Sequence, residues 1–528
     1  MLIRGRRAER LLLAPLLAVA AGCFTEAEGR QPDPTRLYFP TGLVVSPGRT
    51  ALYVANSDFD LQYGGGWVQI LDLASLRAQV APIAAALAEG VGTFDACARA
   101  GRGANPEPWL NPGPCSAFEV APLVRAHALV GAFASGLLLV HEQGGAGARL
   151  FVPVRGDPSV TYFDVQDDRG AGAGFVPELK LDCSAGQDGF CDGAHRLGQD
   201  RERTLRGLQL PADPLGIAAS ADGVAVVAAH QTQAAASLVY NDWRGVPSLA
   251  YFAANLPNGP TELVAIPEPG MLGPARAEAE AAGRYFQYQP SFALTFRATA
   301  EVDILQYYAD SGASPARPFI VRASGTPIYT NATGYDSRGI AIVARRRQAC
   351  EATCHDLGCL RECSEVPLQL FLANRTPASL VVGQIDTRVS SERPDPAGAE
   401  ILTGAYETLF AYDSVPLDFG PSRVEVGTVI DRDGQPQEHV FVVCFDSRTI
   451  FSYDPEEARI DAVIKTGRGP HDIALDAGLD AQGSAYAYLY VGHFTDSYIG
   501  VVDLDMRRPS FGQMFASVGV PTPPKESR

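Results

Sequence analysis

A two-strand unit recurs along this chain of 528 residues, and the repeat restricts the possible folds more than any other feature. In Pro40–Asp60 and Pro214–Thr232, Pro-x-Gly precedes a short apolar strand, a turn with Ser and Gly follows, and a second apolar strand ends in Ala and a polar residue. Each copy predicts a β-hairpin. Because one hairpin cannot bury its own apolar face, its repetition predicts an architecture in which neighbouring units pack together.

Further copies extend the unit to four strands. A third apolar strand follows each hairpin, and a fourth often comes next, as in Ala458–Gly467. Four short antiparallel strands per unit are typical of a propeller blade. We therefore predict an all-β fold, a β-propeller of about seven blades over residues 36–520, with six or eight blades as alternatives. The other copies are Asp336–Arg345 with Leu368–Thr376, Gly420–Ser447, Gly467–Asp505, and two weaker ones at 149–165 and about 259–328.

Three strings carry a resemblance to a known family: ALYVAN, RIDAVIKTGRGPHDIAL and AYLYVGHFTDSYIGVVDLD. They resemble the YVTN-type seven-bladed propellers, which are related to bacterial lactonase-like propellers, and most closely suggest a lipoprotein of the myxobacterial kind. The resemblance implies the fold but no particular activity, because one fold hosts many chemistries. Lactonase-like relatives hold a metal with acidic and Asn residues in the channel, and none of those positions can be matched in this sequence.

The N-terminus has the order of an export signal. A basic head with four Arg precedes an apolar run and the small residues Ala20-Ala21-Gly22, followed by Cys23. This order resembles a bacterial lipoprotein signal, which implies a signal peptide at 1–22 and palmitate-type acylation of Cys23. Phe24, where Asp would imply retention in the inner membrane, implies the outer membrane. The alternative is a membrane anchor, but the apolar run is shorter than the roughly 20 residues of a spanning helix.

The segment after the predicted signal peptide, the C-terminal residues and the net charge give further predictions. Residues 23–35 are expected to be a flexible tether and 521–528 a disordered tail. The formal net charge is −17 at pH 7. A chain this acidic should repel nucleic acid and anionic lipid headgroups, so we expect no nucleic-acid partner and contact with the membrane through the acyl chains.

Nine Cys remain after Cys23, and export makes disulfides possible. Eight lie in three insertions, at about 77–125, 179–206 and 346–367. The last insertion also allows a four-thiolate zinc site with His355 nearby. Cys444, in the apolar string VFVVCF, is predicted to be a buried free thiol. The candidate disulfides are Cys97–Cys115, Cys183–Cys191, Cys350–Cys363 and, nested inside it, Cys354–Cys359.

Alignment of the repeats puts a polar residue at the end of several second strands. His471 and Asp472 begin a first strand, and first strands line the channel of a propeller. His230, His471 and His493 are therefore candidates to converge at the channel mouth as metal ligands or acid–base groups. The alternative is that each polar side chain caps its own strand or bonds to the next blade. The residues at strand ends are Asn56, Arg155, His230, Asn374, Cys444 and His493.

These features favour a binding scaffold over an enzyme. The sequence contains no phosphate-binding loop, no Gly-x-Ser-x-Gly motif and no His-Glu-x-x-His motif. We expect an envelope-anchored propeller, in the periplasm or on the cell surface, that binds a protein, a glycan or a small ligand, and we predict no cofactor. One alternative is a lactonase-like hydrolase or a metal-dependent oxidoreductase that uses the channel histidines. Another is a structural component of the envelope.

Overall fold

Seven four-stranded antiparallel sheets form the fold, each with its strands in sequential order, which confirms the predicted all-β propeller and fixes the number of blades at seven. The structure is a computed structural model. It describes residues 31–169, 177–204, 206–309, 317–328, 335–393, 400–480 and 483–523. The predicted signal peptide, Cys23 and most of the predicted tail lie outside the described residues. No helix in these ranges is long and apolar enough to cross a membrane.

The strands of the first four blades follow the chain without exchange between blades. Blade 1 contains β1 (Pro40–Val45), β2 (Ala51–Asn56), β3 (Gly66–Asp72) and β4 (Val124–Val130). Blade 2 contains β5 (Leu138–His141), β6 (Gly147–Val154), β7 (Ser159–Gln166) and β8 (Arg196–Leu197). Blade 3 contains β9 (Pro214–Ala219), β10 (Ala225–His230), β11 (Ala235–Tyr240) and β12 (Ser248–Ala253). Blade 4 contains β13 (Pro260–Ala265), β14 (Ser291–Phe296), β15 (Glu301–Tyr308) and β16 (Phe319–Pro327).

The last three blades have longer strands. Blade 5 contains β17 (Tyr335–Val343), β18 (Leu368–Thr376), β19 (Ala378–Glu392) and β20 (Ile401–Pro416). Blade 6 contains β21 (Pro421–Ile430), β22 (Pro436–Cys444), β23 (Thr449–Asp454) and β24 (Arg459–Lys465). Blade 7 contains β25 (Pro470–Leu479), β26 (Ala485–His493), β27 (Tyr498–Asp503) and β28 (Met514–Val518).

Within the described ranges, five helices and four disulfides lie between the strands. The helices are α1 (Leu73–Ala88), α2 (Thr93–Arg99), α3 (Leu272–Ala281), α4 (Arg345–Glu351) and α5 (Leu357–Ser364), with single 3₁₀ turns at Ala121–Leu123 and Arg201–Arg203. All four predicted disulfides are present, including the nested pair that joins α4 to α5. The zinc alternative for those four cysteines is therefore wrong, because every sulfur is in a disulfide. The remaining cysteine described, Cys444, is a buried free thiol.

The apolar core is divided among the gaps between blades. Seven clusters of buried side chains each join two neighbouring blades, and an eighth packs α3 against β20. Strand side chains alternate between the two faces of a sheet, so every blade supplies apolar residues to both neighbours. The propeller is therefore held together by burial between blades, and no single blade contains the core.

The first insertion closes the ring between blades 1 and 7. The apolar cluster in this gap includes residues from α1, both cysteines of the Cys97–Cys115 disulfide, and β28. Phe118 extends the outer edge of blade 7, since its N–H donates to the carbonyl of Ser517 at 2.8 Å and its carbonyl accepts from Gly519 N–H at 2.8 Å. The first insertion therefore contributes to the contact between blades 1 and 7 as well as to the rim.

A β-bulge interrupts the first strand of six blades at the Pro-x-Gly position, and in blade 2 residues 134–136 take the equivalent place just before β5. In blade 1, Pro40 pairs with Asn56 and Gly42 with Ala55, so two residues of β1 oppose one of β2. We call the second of these two residues the bulge residue of each blade. In chain order the seven bulge residues are Gly42, Gly136, Gly216, Glu262, Gly339, Arg423 and Asp472.

Gly occurs at several bulge positions because the next blade lies against the backbone there. A Cβ at Gly216 would lie 2.4 Å from the carbonyl oxygen of Thr261, and one at Gly339 would lie 2.7 Å from the backbone nitrogen of Val424. These distances are shorter than any normal carbon contact. At Gly136, in contrast, a Cβ would meet no atom within 4 Å.

We predict that Gly216→Ala destabilises the protein by about 1–3 kcal/mol, the usual cost of forcing an extra methyl into a packed interior. Gly136→Ala is the matched control at the equivalent position of blade 2, and it should be neutral or slightly stabilising because it restricts the unfolded chain. Denaturant unfolding of both variants measures the difference. Equal effects of the two substitutions would contradict the proposed contact between blades 3 and 4.

Candidate functional site

The central channel of the propeller is a cavity that all seven blades share. It has a volume of about 480 Å³ and is lined by residues from the first strand of each blade. Most of the lining residues are Leu, Val, Ile and Ala, but polar and apolar atoms contribute about equally to its exposed surface. The charged residues in the lining are Glu262, Arg423 and Glu425. The charged side chains of the lining therefore come from blades 4 and 6.

Arg423 connects carboxylates of three different strands. Its Nη1 lies 2.5 Å from Oε2 of Glu262 on β13, and its Nη2 lies 2.8 Å from Oε1 of Glu425 on its own strand. Its Nε lies 3.1 Å from Oδ1 of Asp472 on β25. We call these four residues the channel cluster.

The bulge residues explain how the channel cluster forms. Glu262, Arg423 and Asp472 occupy the positions that Gly fills in blades 1, 2, 3 and 5. Gly339, in the blade between Glu262 and Arg423, adds no side chain next to the Arg423 backbone, where a Cβ would lie 2.9 Å from the Arg423 Cα. The guanidinium can therefore pass the bulge of blade 5 and reach blade 4.

Asp472 also links the channel cluster to blade 1, which packs against blade 7 to close the ring. Its Oδ2 accepts a hydrogen bond of 2.7 Å from the backbone N–H of Leu43 on β1. Its side chain is 5% exposed, so this carboxylate is almost completely removed from water. One side chain thus joins blade 6, through Arg423, to blade 1.

The channel cluster holds three acidic groups against one basic group. Burial raises the pKa of Glu425 to about 7, with Arg423 opposing this shift and Asp472 and Glu262 adding to it. Burial also raises the pKa of Glu262. Burial alone would lower the pKa of Arg423, but the carboxylates of Asp472, Glu262 and Glu425 outweigh it and raise the pKa above its ordinary value. The channel therefore has a surplus of negative charge that a bound proton or cation would relieve.

Two of the three histidines predicted to converge have both ring nitrogens in contact with nearby protein atoms. His493 pairs its Nδ1 with the carbonyl of Val491 at 3.1 Å, and its Nε2 accepts from Gly467 N–H at 3.2 Å. His230 pairs its Nδ1 with the carbonyl of Ala212 and its Nε2 with Ser237 Oγ. Burial lowers the pKa of His493 to about 3 and that of His230 to about 4. Both rings are therefore neutral near pH 7, with both nitrogens engaged.

His471 lies at the start of β25, next to Asp472 of the channel cluster. Its ring centroid is 5.6 Å from that of Phe494, and burial lowers its pKa, with Asp472 opposing and Arg423 adding to the shift. Its Nδ1 is buried without a hydrogen-bond partner among the described residues. Potential metal-binding groups of three or more side chains in this part of the chain do not include His230, His471 or His493.

The other predicted polar residues stabilise strand ends. Asn56 accepts from Tyr38 N–H at 2.8 Å and donates to Gln69 Oε1 at 3.0 Å. Asn374 accepts from Ser337 Oγ at 3.0 Å and donates to the carbonyl of Pro377 at 2.9 Å. These contacts match the alternative in which a polar residue at this position caps its own blade.

Arg155 and Cys444 do not cap a strand end as Asn56 and Asn374 do. Val154, rather than Arg155, pairs with Ala134 in the way that Asn56 pairs with Pro40, so Arg155 lies one residue past the equivalent position. Arg155 instead forms an ion pair with Asp213. Cys444 does occupy the strand end, and burial raises the pKa of its thiol to about 12, so it is an inert core residue.

Sequence reasoning missed Glu262, Arg423 and Glu425. A signal was present: Pro260-Thr-Glu262, Pro421-Ser-Arg423 and Pro470-His-Asp472 all replace the Gly of Pro-x-Gly with a charged residue. Only the register of the strands shows that these three replacements face one another around the channel.

The fold and the central cavity define this chain as a seven-bladed β-propeller. No protein-family model and no curated protein matches its sequence. Solved structures with similar folds include hydrazine synthase of Kuenenia stuttgartiensis, with 11% identity and a TM-score of 0.44 over 91% of this chain and 99% of that chain. A putative 6-phosphogluconolactonase of Bacteroides uniformis has 12% identity and a TM-score of 0.41 over 82% and 87%. Likeness at this level is distant and carries no information on activity.

Proposed function

We propose that this chain is an envelope-anchored binding protein whose central channel takes a small ligand with a positively charged group and an apolar body. The observation that carries the proposal is the channel cluster, in which Glu262, Glu425 and Asp472 surround the single guanidinium of Arg423. The acidic surplus favours a cation, and the Leu, Val, Ile and Ala side chains of the lining favour a hydrocarbon body. A few charged groups among apolar side chains are the usual composition of a small-molecule site.

An aromatic cluster at the end of the propeller where the first strands begin supports a cationic ligand. The ring of Phe494 lies 5.1 Å from that of Phe39 and 5.0 Å from that of Phe59, and Phe59 lies 5.7 Å from Phe133. Phe59 is 51% exposed, so part of this cluster is open to solvent. Aromatic faces attract cations, so the cluster favours a positively charged ligand at this end of the propeller.

The envelope location rests on the N-terminal sequence and the disulfides. The order of basic head, apolar run and small residues before Cys23 favours an acylated N-terminus, and four disulfides favour an oxidising compartment. We propose that the acyl chains hold the propeller at the outer membrane while the channel stays open to diffusing ligand.

The geometry favours binding over catalysis. His230 and His493 have both ring nitrogens in hydrogen bonds to neighbouring protein atoms, so neither offers a free atom for proton transfer or metal coordination. The titratable groups that face the cavity are carboxylates tied to Arg423. This arrangement fits recognition of charge better than the lactonase-like or oxidoreductase alternatives.

We expect phenethylamine to bind at least about tenfold more tightly than phenylacetate, a ligand of similar body and opposite charge; tenfold corresponds to about 1.4 kcal/mol. Glu262→Gln and Asp472→Asn should each remove most of that preference, because each deletes one negative charge. Glu456→Gln, which changes an exposed ion pair with Arg346 outside the channel lining, is the control and should have no effect. Isothermal titration calorimetry measures both probes with the wild type and with each of the three variants. Equal binding of the two probes would contradict a cation-selective channel.

We expect Cys23 to carry the lipid. Expression in a bacterial host with labelled palmitate should label the wild-type chain and leave Cys23→Ser unlabelled, since the thiol is the attachment atom. Mass spectrometry should show an acylated Cys23 as the first residue of the mature chain. An unlabelled chain with its leader uncut would contradict the proposed anchoring and leave the test of the channel unaffected.

A further inference from the structure

Blade 6 contains a group of three side chains that the function proposed above does not use. His439 on β22, Asp454 on β23 and Asp461 on β24 place one ligand atom each within 4.8 Å of one another. They lie on three adjacent strands, on the sheet face that carries Phe441 and Ile450 toward blade 7. This group is separate from the channel, which is lined by first strands only.

The ring of His439 is completely buried, and one of its nitrogens lacks a partner. Its Nδ1 lies 2.9 Å from the hydroxyl of Ser452. Its Nε2 lies 3.7 Å from Oδ2 of Asp461, and neither of these two buried atoms has a hydrogen-bond partner in the described part of the chain. The residue is 0% exposed, so the unpaired nitrogen lies inside the protein.

Neither neutral tautomer of His439 satisfies this contact. If Nδ1–H donates to Ser452, the lone pair of Nε2 faces a carboxylate oxygen, and two buried acceptors confront each other. If Nε2 carries the proton instead, 3.7 Å is too long for a hydrogen bond to Asp461. A cation between Nε2 and Oδ2 would satisfy both atoms at once.

The surrounding contacts resemble the outer shell of a metal site. A metal-bound imidazole usually donates its other N–H to a fixed acceptor, which here is the hydroxyl of Ser452. Ligating carboxylates are themselves hydrogen-bonded. Gln437 Nε2 donates to Asp454 Oδ2 at 2.9 Å, and Arg459 Nε donates to the other oxygen of Asp461 at 2.7 Å.

We propose that His439, Asp454 and Asp461 bind a divalent transition-metal ion of the zinc class, with water completing the coordination. One imidazole nitrogen and two carboxylates suit this class, and three protein ligands leave a position open for solvent. Asp461 sits in a bulge of the outermost strand, with its side chain 13% exposed, so an ion can reach the site from the rim. Such an ion would tie β22, β23 and β24 together.

The test uses the full-length, disulfide-intact protein, stripped with chelator and titrated with Zn²⁺ by calorimetry, with metal content measured after dialysis. We expect one Zn²⁺ per chain and a higher unfolding midpoint when it is bound. Ser452→Ala should weaken binding by about 10- to 100-fold, the usual effect of losing an outer-shell partner. His439→Gln and Asp461→Asn should weaken it further, and Asp461→Asn, at the edge of the sheet, is the variant least disturbing to folding.

The matched control is His141→Gln. His141 Nδ1 lies 3.8 Å from Oδ1 of Asp167 in blade 2, a similar pair that belongs to no three-residue group in the described ranges. This substitution should leave Zn²⁺ binding unchanged. The proposal is overturned if the wild-type protein retains no Zn²⁺. It is also overturned if folded His439→Gln and Asp461→Asn bind as tightly as the wild type.

Discussion

The close approach of seven first strands around one axis is the constraint on which the rest of the structure depends. In blades 1, 3 and 5 the first strand bulges where it meets the next blade, and at that point the backbones nearly touch. Gly satisfies this contact in blades 1, 3 and 5 because it has no Cβ to collide with the neighbouring strand. The channel, its diameter and the side chains that enter it all follow from this one contact.

In three blades a charged residue takes the bulge position that Gly fills in the other blades. Glu262, Arg423 and Asp472 place an ion-pair cluster at a channel whose other lining residues are mostly Leu, Val, Ile and Ala. Taking charges out of water is costly, and only good pairing offsets the cost. The cluster leaves two more acids than bases, so pairing inside the protein is incomplete. That imbalance is the physical basis for proposing a cationic ligand.

The sequence predicted the elements that depend on local pattern. Pro-x-Gly repeats identified the blades, and cysteine spacing in the Cys350–Cys363 segment identified two nested disulfides between short helices. The predicted position of Arg155 is one residue too far along the chain. The strand-end position of blade 2 holds the apolar Val154, which pairs with Ala134, where most other blades have a polar residue. The channel cluster and the His439 group depend on which residues of distant strands face each other, and no spacing within one strand reveals that.

The free energy of unfolding of Arg423→Met as a function of pH tests the central claim most directly. Removing the guanidinium leaves Glu262, Glu425 and Asp472 without their shared partner, a change expected to cost about 3–5 kcal/mol near pH 8. Carboxyls whose pKa values are raised in the folded state bind protons more readily there than in the unfolded chain, so stability should recover as the pH falls to about 5. A loss that is absent, or equally large at both pH values, would contradict a channel organised around this charge cluster.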